Sequence, residues 1–574
     1  MARVKKKQRP VSVMLAFCLI FGIISDCSFS PVPVSAGESA AEESTSGDMA
    51  LSGDSEQAAE TVEEGFLRIG FTTPCATMDI HKTQQEYMIP LNIYERLFDI
   101  QVREDGSSEL IYGLAEDWSV SPDGLVYSFT LRDDAYFCDG TPVTAYDAAF
   151  TFTRMLTLKD SVQTDFGDMI LGADELIAGQ TDHLEGVRVL DERHLQITLS
   201  EPFSGYLYLL ATPSCSILSE ACVKANGALF GNSAESTIGS GPYMVTEYTK
   251  DRITLERNPY YHCREGEELS VTKAQILVLP PAIMDQTFQN GGLDILDANI
   301  INPDLVENVY KSGKWKDRII SRQRVDVQYL MMNLNTPPLN DVRIRKAVQM
   351  AIDRQEILNT VYSGDGSLTD GIFPEGLIGY NEENQGWLQY NPNEARRLIR
   401  EAGNASEVCL ELAVDSADSV RNLTVMEMIR QDLSEVGLNV SIVSYDADSL
   451  LYLRKAGLLM AYSNNWSADY NDPDNFIYTF FGNREKTLYR SGNFDNQEVF
   501  DRITKARAIQ NEADRLAEYS ALEALLIQDE AVWVPLFSTD HLYVLGDRVE
   551  SFTPFWAGWS SMYFRDVVMK EAEP

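Results

Sequence analysis

The sequence is poor in the patterns that build most catalytic sites. No CxxC pair, HExxH, GxSxG elbow or GxxxxGK(S/T) loop occurs in its 574 residues. The metal, acyl-transfer and nucleotide sites those patterns form are therefore not expected. Histidine is scarce, with five residues (His81, His183, His194, His262, His541) scattered along the chain, so no metal centre and no cofactor is expected. Cations are outnumbered: 47 Lys and Arg stand against 87 Asp and Glu, a net charge of −40. That balance excludes nucleic acid, whose phosphates demand clustered Lys and Arg. It also disfavours broad contact with anionic lipid head groups. Long apolar runs are missing beyond the N-terminus, and a chain this long exceeds one compact core.

The one long apolar run covers residues 11–24 and follows Arg3, Lys5, Lys6, Lys7 and Arg9. It is shorter than the roughly 20 residues a spanning helix needs, and the order is that of an export signal. Two cleavage points fit. Val34-Ser35-Ala36 places small residues before Gly37 and makes residues 1–36 a signal peptide. Ile24-Ser25-Asp26-Cys27 resembles a lipoprotein signal, with lipidation at Cys27 and residues 1–26 removed, although Asp26 is atypical there. Either way the body is exported, to the outer face of the cytoplasmic membrane or to a periplasmic or extracellular space. Residues 37–65 are rich in Ser, Glu, Ala and Gly and cannot offset their ordering entropy by burial, so they read as a disordered acidic linker. Cys75, Cys138, Cys215, Cys222, Cys263 and Cys409 follow in the body. Export permits disulfides, but spacing does not fix their pairing.

The chain is organised around residues 464–476. An apolar run, residues 458–462, is short enough to be a buried strand. Asn464-Asn465-Trp466-Ser467-Ala468-Asp469-Tyr470-Asn471 follows, and Asp472-Pro473 opens an expected helix with Asp472 as its N-cap. A strand end beside a carboxylate suits an extended ligand with main-chain hydrogen bonds to make and a cationic head. A peptide with a free α-amino group fits; a turn merely capped by Asp469 is the blander reading. Asp472 and Asp474 read as helix-start charges, and Glu86 as a solvated loop charge, rather than as acid–base catalysts.

Elsewhere the patterning alternates strand and helix. Residues 66–71 read as a strand and 91–98 as the start of a helix. Leu125, Tyr127, Phe129 and Leu131 alternate as in a half-buried strand. Thr144 with Asp147 three residues on marks a helix start, with Ala148, Phe152 and Met155 on its inner face. Residues 186–189 and 194–199 read as a hairpin. Ile344, Ala347, Val348, Ala351 and Ile352 form a helical stripe, as do Ala395, Leu398, Ile399 and Ala402 before Gly403. Residues 409–444 read as a βαβ unit with parallel strands, and residues 531–537 as a strand after a helix carrying Leu522, Leu525 and Leu526.

Several runs occur in a fixed order: Ala115-Glu116-Asp117-Trp118, Phe137-Cys138-Asp139-Gly140-Thr141-Pro142-Val143-Thr144-Ala145-Tyr146-Asp147, Gly239-Ser240-Gly241-Pro242-Tyr243, Asn258-Pro259-Tyr260, Asp341-Val342-Arg343-Ile344-Arg345-Lys346-Ala347, Ala468-Asp469-Tyr470 and Val534-Pro535-Leu536-Phe537. From Phe66 onward this order resembles the solute-binding proteins of peptide-type ABC importers, family 5, which includes oligopeptide- and dipeptide-binding proteins. The resemblance implies an α/β, two-lobed periplasmic-binding-protein-like fold (type II, cluster C-like) with an extra inserted subdomain. Lobe I would comprise residues 66–92, 237–324 and 546–574, subdomain II residues 93–236, and lobe III residues 325–545. It implies no enzymatic activity, a peptide ligand, ABC permease subunits as partners, and a monomer. Another solute (an oligosaccharide, a metal chelate or an opine) or a peptide-sensing role would use the same fold. Asp469 would neutralise the peptide's α-ammonium, Asn465, Ser467 and Ala468 would pair with its main chain, and Trp466 would wall a side-chain pocket or belong to the core. Gln85 and Tyr87 would face the ligand from the opposing lobe. Ser463 stands where oligopeptide-binding members carry a cation, which leaves a C-terminal anchor by that route in doubt.

Overall fold

The computed structural model describes residues 64–83, 87–103, 106–263, 268–403 and 407–571. The expected signal with Cys27, nearly all of the linker, and Gln85 and Glu86 lie outside them. No helix among the described residues is long and apolar enough to cross a membrane. Cys138, Cys215, Cys222 and Cys409 are unpaired thiols.

One mixed sheet of twelve strands carries the architecture. Its order is Asn439–Tyr445, Cys409–Asp415, Ala461–Ser467, Asp326–Met332, Trp533–Leu545, Ile295–Asp297, Phe66–Phe71, Lys273–Val278, Arg252–Arg257 and Tyr243–Tyr248. Strands Ile319–Gln323 and Gly366–Leu368 also pair with Trp533–Leu545. The expected βαβ unit is present: Cys409–Asp415 and Asn439–Tyr445 are parallel and joined by helix Val420–Glu435. Gly403 closes helix Pro392–Ala402 at φ +91°, a conformation that costs glycine little.

Strand Trp533–Leu545 is longer than the expected 531–537. Its first half pairs with Asp326–Met332 and Gly366–Leu368, its second with Ile319–Gln323 and Ile295–Asp297. The polar run Ser538-Thr539-Asp540-His541 hides this continuity in the sequence, but neighbouring groups meet its polar side chains. The Ser538 hydroxyl donates to the Asp326 carbonyl, and the Asp540 carboxylate accepts from the Ser321 hydroxyl at 2.6 Å. Pro535, which has no N–H to give, sits beside an irregularity in register between Gln328 and Tyr329.

A second, four-stranded antiparallel sheet orders Ala115–Val120, Val126–Leu131, His194–Thr198 and Val187–Val189. Tyr127, Phe129 and Leu131 point inward as their alternation requires. Helix Ala145–Thr157 packs on this sheet, and Thr144 and Asp147 form the expected capping box. The expected helix at 91–98 is displaced. A short helix spans Met88–Ile93, Tyr94 is extended, and Phe98–Val102 is a strand paired with Ser108–Tyr112. Every residue of that helix is buried, so no amphipathic stripe marks its ends.

The segment after Ala461–Ser467 is fixed by buried charge. Helix Asp474–Phe481 starts one residue later than expected, and Asp472 Oδ1 accepts the Asp474 N–H at 2.9 Å. Asp472 and Asp474 are not solvated helix-start charges, for both are fully buried. Arg515 pairs with Asp472 at 2.7 Å, Arg507 approaches Asp474 to 3.2 Å, and the Tyr519 hydroxyl donates to Asp474 at 2.7 Å. The cations come from helices Glu512–Ala524 and Gln497–Arg507, so sequence-distant elements clamp this loop. Removing one partner of a buried pair strands the other. Arg515→Met is therefore expected to lower stability by about 3–5 kcal/mol in urea denaturation at pH 7. Adding Asp472→Asn, which keeps the cap but removes the charge, should recover much of that loss.

Candidate functional site

The strand next to this loop is the polar one. The expected strand at 458–462 begins only at Ala461, with Leu458 63% exposed, and runs through Asn464, Asn465 and Trp466 to Ser467. It lies antiparallel to Asp326–Met332 along its whole length. The Ala468 N–H donates to the Val325 carbonyl at 2.8 Å, and the Asn333 N–H to the Met460 carbonyl at 2.8 Å. In an antiparallel ladder hydrogen-bonding residues alternate, so the even-numbered residues 462, 464 and 466 face that strand. The main-chain groups of Ser463, Asn465 and Ser467 face the other way. There strand Cys409–Asp415 pairs only as far as Ala413 with Tyr462. From Ser463 to Ser467 the outer edge has no strand beside it among the described residues.

Asp469 stands just past that edge. Its N–H donates to Asn475 Oδ1 at 3.0 Å, and Asn475 Nδ2 donates to its Oδ2 at 3.1 Å. The Trp466 indole N–H reaches the same Asn475 Oδ1 at 3.1 Å. Asn475 thus holds the indole and the carboxylate in fixed relation. Among the described residues no cation lies within ion-pair distance of Asp469. Burial raises its pKa to about 6; the Asn475 bond and the more distant Arg490 oppose the rise, and Asp165 adds to it. Trp466 packs edge-on against Phe480 at 5.1 Å and lies 5.6 Å below the Arg490 guanidinium. Ala468 is buried, and its small side chain lets the chain turn against Val325.

Tyr87 forms part of the facing wall. Its ring stacks on Trp559 at 5.4 Å, and Gln163 Nε2 donates to its hydroxyl at 3.3 Å while accepting at Oε1 from Ser214 at 2.9 Å. Burial pushes its phenol up to about 12, the Gln163 bond opposes this, and the Asp469 charge adds to it. Between the two walls lies a cavity of about 680 Å³ lined by Tyr87, Gln163, Trp466, Asp469, Asn475 and Arg490, among others. That volume is in the range of sites for small organic ligands.

The structure brings Asp469, Trp466 and Tyr87 to one cavity, sets Asn465 and Ser467 on the strand leading to it, and places Ala468 just past the strand's end. Trp466 both lines the cavity and packs against the core through Phe480. Asn475, Gln163, Lys486 and Arg490 were not singled out from the sequence. Asn475 lies within residues 464–476, but six residues from Asp469 on a following helix, where no periodic pattern links them. Lys486 and Arg490 come from the next helix, and Gln163 from far upstream.

Comparison with known proteins identifies the family. The description "Bacterial extracellular solute-binding proteins, family 5 Middle" matches residues 109–487. The chain is 27% identical over 501 residues to the probable D,D-dipeptide-binding periplasmic protein DdpA of Escherichia coli strain K12, covering 86% of this chain and 92% of that one. It is 27% identical over 506 residues to the periplasmic oligopeptide-binding protein OppA of the same organism, covering 86% and 90%. Among solved structures, the unliganded open form of the periplasmic murein tripeptide-binding protein MppA superposes with a TM-score of 0.76 at 21% identity, over 88% of this chain and 98% of that one. DppA of Helicobacter pylori in complex with the peptide STSA gives 0.67 at 22% identity, again over 88% and 98%. The two-lobed α/β fold is common to them, and this chain belongs to family 5 of the bacterial extracellular solute-binding proteins.

Proposed function

We propose that this protein is the extracytoplasmic receptor of an ABC importer, that it captures peptides between its lobes, and that it delivers them to a membrane permease. The observation that carries this reading is the pairing of two unmet demands at one place. A half-enclosed carboxylate, Asp469, lacks a cation, and it sits at the end of an unpartnered strand edge, Ser463 to Ser467. A peptide with a free amino end meets both. Its α-ammonium neutralises the carboxylate while its main chain adds as a strand, an interaction that gives affinity without reading side chains. The relatives named for oligopeptide and dipeptide binding support the ligand class. Gln85 and Tyr87 belong to the wall opposite Asp469 in this reading, and Cys27 to a lipid anchor if the second cleavage point is used.

The lobes of this reading meet along Trp533–Leu545. The chain passes between them at Arg324–Val325 and again at Thr539–Asp540. The pairing of residues 540–545 with Ile319–Gln323 and Ile295–Asp297 supports the second boundary over the Leu545 expected from sequence. Closure about these crossings would bury the peptide and present a changed surface to the permease.

A charge-assisted hydrogen bond contributes about 1.5–3 kcal/mol, so Asp469→Asn is expected to weaken peptide binding about tenfold or more in calorimetry. Ammonium binding requires the ionised carboxylate. Affinity should therefore decline as pH falls through about 6, with proton uptake on release, and decline again as pH rises past about 8, where the free peptide's own α-amino group gives up its proton. Without ligand the sign reverses. The ionised form is the disfavoured one, so ligand-free protein should lose thermal stability as pH rises through 6, and Asp469→Asn should lessen that loss.

A further inference from the structure

A second pair of charges in the same cavity is also unmet. Helix Arg484–Arg490 carries Lys486 and Arg490 one turn apart, and both line the cavity that holds Asp469. Like charges at that spacing weaken a helix. Arg484, on the same helix, lies 3.4 Å from Asp495, and Arg507, the cavity's remaining cation, approaches Asp474. Neither Lys486 nor Arg490 has an acidic partner within ion-pair distance among the described residues. Lys486 Nζ lies 4.5 Å over the Tyr478 ring. The Arg490 guanidinium lies 5.0 Å from the Tyr489 ring centre and 5.6 Å from that of Trp466, and its Nε donates to the Tyr489 hydroxyl at 2.5 Å. Burial holds the Lys486 ammonium below its ordinary pKa, and the Arg490 charge adds to that. The acids facing them from the other wall are Asp165, Asp168 and Glu201; Glu485 is beside them on their own helix.

Two partly desolvated cations crowded on one wall call for an anion. The Nε–H of Arg490 is committed to Tyr489 and its plane rests on aromatic rings, which leaves the terminal N–H groups for a planar, two-oxygen acceptor. Building on the peptide reading above, we propose that Arg490, supported by Lys486, binds a carboxylate of the peptide whose amino end sits on Asp469. The receptor then selects peptides carrying a carboxylate close to their N-terminus. Either the C-terminal carboxylate of a short peptide or an early acidic side chain supplies that chemistry.

Calorimetry with trialanine, trialanine amide and Ala-Glu-Ala amide tests this on wild type, Arg490→Gln and Asp469→Asn. Wild type is expected to bind trialanine, Ala-Glu-Ala amide or both at least about tenfold tighter than trialanine amide. Tight binding of trialanine alone assigns the C-terminus, and of Ala-Glu-Ala amide alone the side chain. Arg490→Gln should shrink the preference to within about twofold, while Asp469→Asn weakens all three. Equal wild-type affinity for the three peptides overturns the proposal, and that comparison needs no variant to fold. A uniform loss in Arg490→Gln also overturns it, because a group that reads the carboxylate cannot weaken trialanine amide equally. If no peptide binds wild type, the peptide reading itself falls and this proposal falls with it. If Asp469→Asn weakens binding but Arg490→Gln leaves the preference intact, only the present proposal fails.

Discussion

Three carboxylates within six residues meet two different fates, and the site depends on the difference. Asp472 and Asp474 are buried and have their own cations, Arg515 and Arg507. Asp469 has a neutral amide, Asn475, and nothing stronger within reach. Buried ion pairs contribute little net stability, but they penalise any arrangement that separates them. The two satisfied acids thus fix the loop while the third is held in a defined place without being neutralised. Were Asn475 a cation, the same backbone would present a spent site.

The strand edge is subject to the same logic. An unpaired edge invites association with other chains and is usually blunted. Here the edge leads to a walled cavity, with Trp466, Asp469 and Arg490 on one side and Tyr87 on the other.

Much of this fold was legible because its elements are periodic and local. The Thr144–Asp147 box, the stripes of helices Val342–Ala351 and Pro392–Ala402, and the parallel pair around helix Val420–Glu435 each carry their information within a short window. Asp469 was legible because an acid follows a strand end. The misreadings have a common cause. Residues 458–462 are apolar but the strand begins later, since Leu458 is solvent-facing and the polar Asn464 and Asn465 belong to the ladder. Strand Trp533–Leu545 carries a polar centre whose partners lie more than 200 residues away, Ser321 and Asp326 among them. Arg515 and Arg507 likewise answer acids that looked solvated. Where a polar group is satisfied by a sequence-distant partner, no window of neighbouring residues reports it.

The shared strand has one more consequence. Trp533–Leu545 is hydrogen-bonded into the sheet on both halves, so it can twist far more easily than it can stretch or slide. In the two-lobed reading proposed above, displacement of the bodies on either side would therefore be a rotation about this strand, and the walls of the cavity would come back into register each time they met.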